Sequence, residues 1–172
     1  YENDVPFEYR TLEDPSAMAE LKARWPFARF PVLVDDGNTI AESTIIIEHL
    51  MLKHGGRVRW LPDDPLEALE VRFLDRFFDN DVMTAMQKPI FEALKTDNAR
   101  KDAVMAEAVR ALDLAYGWLE QRLNGRTWAA GETMSLADCA AAPSLFYADW
   151  VHPIAHTFPT VRAYRSRLLA WP

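Results

Sequence analysis

Strand signals stop near Trp60, and every pattern after it is helical. Strands and helices bury their apolar residues with different periods, so a chain that changes period once changes architecture once. The 172 residues are therefore expected to form a small α/β unit followed by an all-α unit. The boundaries we expect are 1–59 for the mixed unit, 60–65 for a linker and 66–172 for the helical unit.

Within the first unit, Phe7-Glu8-Tyr9-Arg10-Thr11-Leu12 alternates apolar and polar residues, as a half-buried strand does. Asp14-Pro15 supplies an N-cap followed by proline at the first helical position, and a short helix runs from about Ser16 to Arg24. Trp25-Pro26 ends it, because the residue before a proline is pushed out of the helical region. Phe30-Pro31-Val32-Leu33-Val34-Asp35 reads as a strand, Asp36-Gly37 as a two-residue turn of the primed type, and Asn38-Thr39-Ile40-Ala41 as the returning strand. Ser43 opens a helix carrying Ile45, Ile46, Ile47, Leu50 and Met51, which Gly55-Gly56 stops.

Past the linker, Asp64, Pro65 and Glu67 form a capping box. The helix it starts sets Leu66, Leu69, Phe73, Phe77 and Phe78 on one stripe, expected to be mostly core, and Pro89 is expected to kink or interrupt it. A second helix, from about Ala99 to Leu123, turns Met105, Val109, Leu112, Tyr116, Leu119 and Leu123 inward and ends at Asn124-Gly125. A third begins at Ser135, and a fourth follows Phe158-Pro159 to about Leu169. Ser135 and Asp138 have the N-cap and N3 spacing, so each side chain can accept from the other's backbone N–H; we read them as a structural helix cap.

Composition narrows the partners. Nineteen basic against 26 acidic residues leave a net charge of −7, which disfavours nucleic acid and anionic membrane, though not a local basic pocket for a small anion. One cysteine excludes a disulfide framework and any multi-cysteine zinc site. No apolar run reaches the ~18 residues of a membrane-crossing helix.

The stretch from Trp25 to Leu50 carries the chemistry. Pro31 opens a strand at a place where it need not pair; an X-Pro bond there can be cis, turning the Phe30 backbone outward as an edge for an extended peptide. One hairpin later, Glu42-Ser43 stands at a helix N-terminus, whose unpaired N–H groups and positive dipole suit a carboxylate, while Glu42 suits an ammonium. A ligand with an α-amino-acid head and a peptide body fits both parts. Taken alone, Glu42-Ser43 reads first as an ordinary helix cap, the commonest role of Ser at such a position.

Taken together, Phe30-Pro31-Val32-Leu33, the Asp36-Gly37 hairpin and Glu42-Ser43 before Ile45-Ile46-Ile47-Glu48 resemble the glutathione transferase family. Gly131-Glu132-Thr133-Met134-Ser135-Leu136-Ala137-Asp138 resembles the helix-nucleating motif of its second domain, and the likeness spans both domains in order. The resemblance implies a thioredoxin-like first domain and an all-helical second one. It implies that Phe30 and Pro31 meet the cysteinyl backbone of glutathione, Glu42 and Ser43 its γ-glutamyl head, and Arg29 its glycyl carboxylate. It further implies glutathione as co-substrate, no metal, a small hydrophobic electrophile bound by residues after Pro65, a homodimer and a cytoplasmic location. Transfer of the thiolate to that electrophile is the expected reaction, with isomerisation, dehalogenation or thiol-disulfide exchange open beside it. The alternative is a transferase-like binding or interaction protein without catalysis.

Other side chains read as structural. His152 and His156 lie four apart, but Pro153 and Pro159 flank them and no third ligand stands near; Cys139 is expected to be a buried, inert thiol; His49 and His54 are expected at the surface or in packing.

In the family, a first strand and helix precede the part seen here and carry the residue that activates the thiol, whose pKa of ~8.5 leaves it mostly protonated at neutral pH. Tyr1-Glu2-Asn3-Asp4 reads as the end of that helix, so the catalytic residue is expected before Tyr1, in a segment of roughly 20–25 residues, the length of one strand, one helix and their turns. Neither Tyr1 nor Tyr9 is assigned the catalytic role.

Overall fold

Helix α1 (Pro15–Arg24) starts where its capping chemistry directs: Asp14 accepts from the Ser16 N–H at 2.8 Å, and Pro15 occupies the first turn. A computed structural model of the chain describes residues 1–95 and 100–171. Strands β1 (Val32–Asp35) and β2 (Asn38–Ala41) pair antiparallel, with Leu33 opposite Ile40 and Asp35 opposite Asn38. Asp36 and Gly37 join them at φ 48° and 80°, the left-handed pair that a primed turn requires. Helix α2 (Ser43–His54) follows, ending at Gly55.

The stretch Phe7–Leu12 departs from expectation. It forms no strand; the described residues contain one sheet, the two-stranded β1–β2 pair. A strand exists only through its ladder, and alternation in sequence supplies no partner. Phe7 and Tyr9 are accordingly exposed. Residues 1–4 make a single turn closed by the Asp4 N–H donating to the Tyr1 carbonyl at 2.9 Å. The Asn3 side chain then pairs with the Val58 backbone on both of its polar atoms, at 2.8 and 3.0 Å. It lies against Gly56, whose φ of 127° and missing Cβ leave room for the Asn3 side chain.

The helical part comprises α3 (Pro65–Phe77), a wide turn of π-helix at Phe78–Met83, α4 (Thr84–Ala93), α5 (Lys101–Arg122), α6 (Leu136–Val151) and α7 (Pro159–Leu169). Contacts divide the chain into two units, Tyr1–Leu61 and the residues from Pro62 onward. Asp64 caps α3, accepting from Leu66 and Glu67 at 2.9 and 3.0 Å. Glu120 of α5 caps α7, taking the Thr160 N–H and hydroxyl and the Val161 N–H. Partial burial alone would raise its carboxyl pKa, but these hydrogen bonds outweigh burial and lower it.

Three expectations about the helices are corrected. On α3 the buried face is Ala68, Val71, Leu74 and then Phe78, while Leu66, Leu69 and Phe73 are exposed. Both rows have helical spacing, so periodicity alone did not choose between them. On α5, Leu112, Tyr116, Leu119 and Leu123 are buried, but Met105 is exposed and Val109 only half-buried; Ala108 and Ala115 fill the face instead. The expected start of that helix at Ala99 lies outside the described residues. Pro89 neither ends nor interrupts a helix: it sits inside α4. The interruption comes earlier, where the Thr84 N–H and hydroxyl both reach back to the Asp79 carbonyl, five residues away.

Candidate functional site

Five residues from two places in the sequence meet at one hollow in the first unit. Arg29, Phe30, Pro31, Glu42 and Ser43 line it, together with Trp25, which the sequence reading had used only as a helix end. Its volume is about 110 Å³. The chain leaves α1 through Trp25, turns at Ala28 (φ 51°) and enters β1 through a cis Phe30–Pro31 peptide. At the far end of the hairpin, Glu42 takes φ 69° and ψ 122° to turn the chain from β2 into α2. Positive φ at a non-glycine residue is sparsely populated and concentrates at ligand sites.

At the start of α2 the first carbonyl bond runs from the Ile46 N–H to Glu42, and the Glu42 side chain does not cap the helix. The helix dipole adds positive potential at this end of α2. Across the hollow, an Arg29 nitrogen stands 3.7 Å from Glu42 Oε1, and the guanidinium lies over the Phe27 ring at 5.5 Å. Arg29 and Glu42 are each more than half exposed, so their pairing is worth at most about 1 kcal/mol and yields easily to a ligand. A cation, a carboxylate and the positive end of a helix dipole around one small space are the complement of a zwitterion.

A second cluster in this unit escaped the sequence reading. His49 and His54 of α2 both reach Asp35 Oδ2 of the hairpin, at 2.7 and 3.0 Å, and Lys53 Nζ reaches the same atom at 2.8 Å. The Lys53 ammonium, ahead of the two imidazoles, holds the Asp35 carboxyl well below the usual carboxylate range. The sequence signal was faint: an aspartate before a turn and two histidines five apart, which becomes a cluster only once the hairpin packs on α2.

In the helical unit, His152 Nε2 contacts Asp113 Oδ1 at 2.8 Å with its ring stacked on Tyr116, and His156 is exposed. Cys139 is half-buried rather than buried, a correction that follows from its place at the fourth position of α6, beside the fully buried turn Leu136–Asp138. A larger, open depression is lined by Trp118, Gln121, Arg122, Asn124 and Arg126. Both its arginines are paired to Glu70 Oε1, at 2.6 and 2.7 Å, which leaves that site less electropositive than two guanidiniums would suggest. Ser135 and Asp138 do meet: Asp138 Oδ2 accepts from the Ser135 N–H at 2.8 Å and its hydroxyl at 3.0 Å.

Residues 1–58 match the family described as glutathione S-transferase, N-terminal domain, and residues 82–172 match glutathione S-transferase, C-terminal domain. The chain belongs to the glutathione S-transferase family. Among transferase relatives, Glutathione transferase GST 23 of Zea mays is 30% identical over 177 residues, covering 96% of this chain and 75% of the relative. FtsZ-localized protein A of Caulobacter vibrioides is 32% identical over 155 residues, covering 85% and 66%. A glutathione S-transferase of Methylobacillus flagellatus, solved with GSH bound, has the same fold at TM-score 0.79 and 23% identity, covering 98% of this chain and 83% of that one. The transferase fold is thus a small thioredoxin-like domain with a short sheet, then a helical domain. Among the described residues, no helix is long and apolar enough to cross a membrane.

Proposed function

We propose that the chain binds glutathione at the hollow of the first unit and presents its thiolate to a small hydrophobic electrophile. The observation that carries this reading is the convergence of Arg29, Phe30, Pro31, Glu42 and Ser43 on one space at the start of α2. In this reading Ser43 and the N–H groups of the first turn hold the γ-glutamyl carboxylate, and Glu42 its ammonium. Arg29 meets the glycyl carboxylate, and the Phe30 backbone lies along the cysteinyl residue. A hollow of about 110 Å³ suits an amino-acid head with the remaining tripeptide along the rim. The solved relative that carries GSH supports glutathione as the ligand class.

Catalysis is assigned to no residue of this chain. Tyr1 and Tyr9 are 93% and 77% exposed and line no part of the hollow. A second reading, binding without transfer, draws on the likeness to FtsZ-localized protein A, whose name describes localisation rather than a reaction. We also propose a homodimer, in which a second copy covers the exposed Leu66, Leu69 and Phe73 of α3.

Isothermal titration with glutathione tests the binding. Ser43→Ala is expected to weaken it by about tenfold, the worth of one hydrogen bond to a charged group. Unchanged affinity removes Ser43 from the site, and no binding by the unaltered protein refutes the reading. Binding without a rise in thiolate absorbance selects the non-catalytic alternative.

A further inference from the structure

We propose that Asp35, His49 and His54 form a binding site for a divalent transition-metal ion of the zinc class. The site lies at the opposite end of α2 from Ser43: His49 is six residues and His54 eleven residues along, about 9 and 16 Å at 1.5 Å per residue. It does not rest on the glutathione reading.

The donor set is the first argument. Two imidazole nitrogens and one carboxylate, with further positions open, is a combination that holds zinc and its neighbours in proteins. The three ligand atoms already lie within 4.8 Å of one another. In a tetrahedron with bonds of ~2.0–2.1 Å, ligand atoms stand about 3.3 Å apart. The contacts of 2.7 and 3.0 Å from the histidines to Asp35 need open by only a few tenths of an ångström to admit an ion. Both histidines present Nε2 to the common centre, so each can turn a lone pair inward with its proton on Nδ1.

The second argument is crowding. His49, Lys53 and His54 all donate to the single atom Oδ2 of Asp35, which has fewer lone pairs than donors. One cation at their centre would replace this three-way competition with one bond per ligand. Lys53 need not be stranded by the exchange, since its ammonium already contacts Asp36 Oδ2 at 2.8 Å. The Asp35 side chain is only 16% exposed, which limits competition from water, while the half-open histidines leave an entry path. Through His54 the site also reaches the last turn of α2, where the helix dipole favours a cation. Binding would clamp the β-hairpin to the C-terminal end of the helix.

The test is a zinc titration of the whole chain after chelator dialysis, read by calorimetry and by melting temperature. Cobalt serves as a spectroscopic substitute. One equivalent of Zn²⁺ is expected to bind and to raise Tm, because a ligand held only by the folded state stabilises it. His49→Gln and His54→Gln should each lose at least about tenfold in affinity. Lys53→Met should bind as tightly as the unaltered chain or more so, up to about fivefold, the worth of one exposed ion pair. That variant keeps both ligand histidines, so it stays informative even if a histidine variant loses its fold. Failure of the whole chain to take zinc overturns the proposal. So does affinity indifferent to both histidine substitutions, or weakened by Lys53→Met.

Discussion

Asp138 is fully buried and accepts four hydrogen bonds. Two come from Ser135, one from the Ala129 N–H at 2.8 Å and one from the Tyr164 hydroxyl at 2.6 Å. A carboxylate of two oxygens is thereby close to saturated, which is what makes a buried charge tolerable. The residue fixes more than the start of α6: through Ala129 it holds the preceding loop, and through Tyr164 it reaches α7. Removing it leaves several buried donors without acceptors, each costing about 1–3 kcal/mol. Asp138→Ala is therefore expected to cost about 3 kcal/mol or more, a fall in Tm of roughly 6–12 °C for a chain of this size, whereas Tyr164→Phe, which removes one donor cleanly, should cost about 1 kcal/mol. Thermal melts of the two variants check this, and equal losses would show that Asp138 acts through Tyr164 alone.

Helix α3 shows how much of an element can be read from residues and where reading stops. Its start was legible, because Asp64 and Pro65 dictate it by local chemistry. Its buried face was not. Leu66, Leu69 and Phe73 are larger and more apolar than Ala68, Val71 and Leu74, yet the latter row lies inward. Which row is buried depends on the opposing elements, here α6 and the π-turn, and those are not encoded in the helix itself. The same limit applies at Phe7–Leu12, where alternation without a partner gave no strand, and at Asp35, whose three donors come from residues 14 to 19 positions later. By contrast the hairpin, the Glu42-Ser43 junction and the Ser135–Asp138 pair were legible because each is closed within a few residues. The exposed row on α3 has a consequence of its own. Contiguous apolar surface on a helix marks an interaction face. If a second copy covers it, sedimentation equilibrium should give twice the chain mass, and Leu69→Asp should give the single chain. A monomer before substitution would leave that face without a partner copy.

Burial is divided unequally along the chain, and this sets how the whole molecule responds to alkali. Within the described residues the first unit buries Ala17, Leu21 and Leu61, while the second buries Tyr116, Tyr164, Phe78 and most of the remaining apolar side chains. Tyr116 donates its hydroxyl to the His152 carbonyl at 3.1 Å, and burial, then the nearby Asp149 and Asp113, push its pKa up. Burial does the same to Tyr164, and its bond to Asp138 adds to the shift, because a phenolate could not donate to a carboxylate. Both groups are thus held neutral in the folded chain at pH values where the unfolded chain would ionise them. A pKa raised on folding contributes stability that is complete below the unfolded value of about 10 and is lost as pH rises beyond it. The other three tyrosines, Tyr1, Tyr9 and Tyr147, are exposed. Alkaline titration followed by phenolate absorbance should therefore show the absorbance of Tyr116 and Tyr164 appearing only as the helical circular dichroism collapses. Phenolate absorbance from Tyr116 and Tyr164 with the helical signal unchanged would mean that they are not sealed in the second unit. In Tyr164→Phe the late absorbance step should fall to a single tyrosine, which separates the two buried hydroxyls from one another.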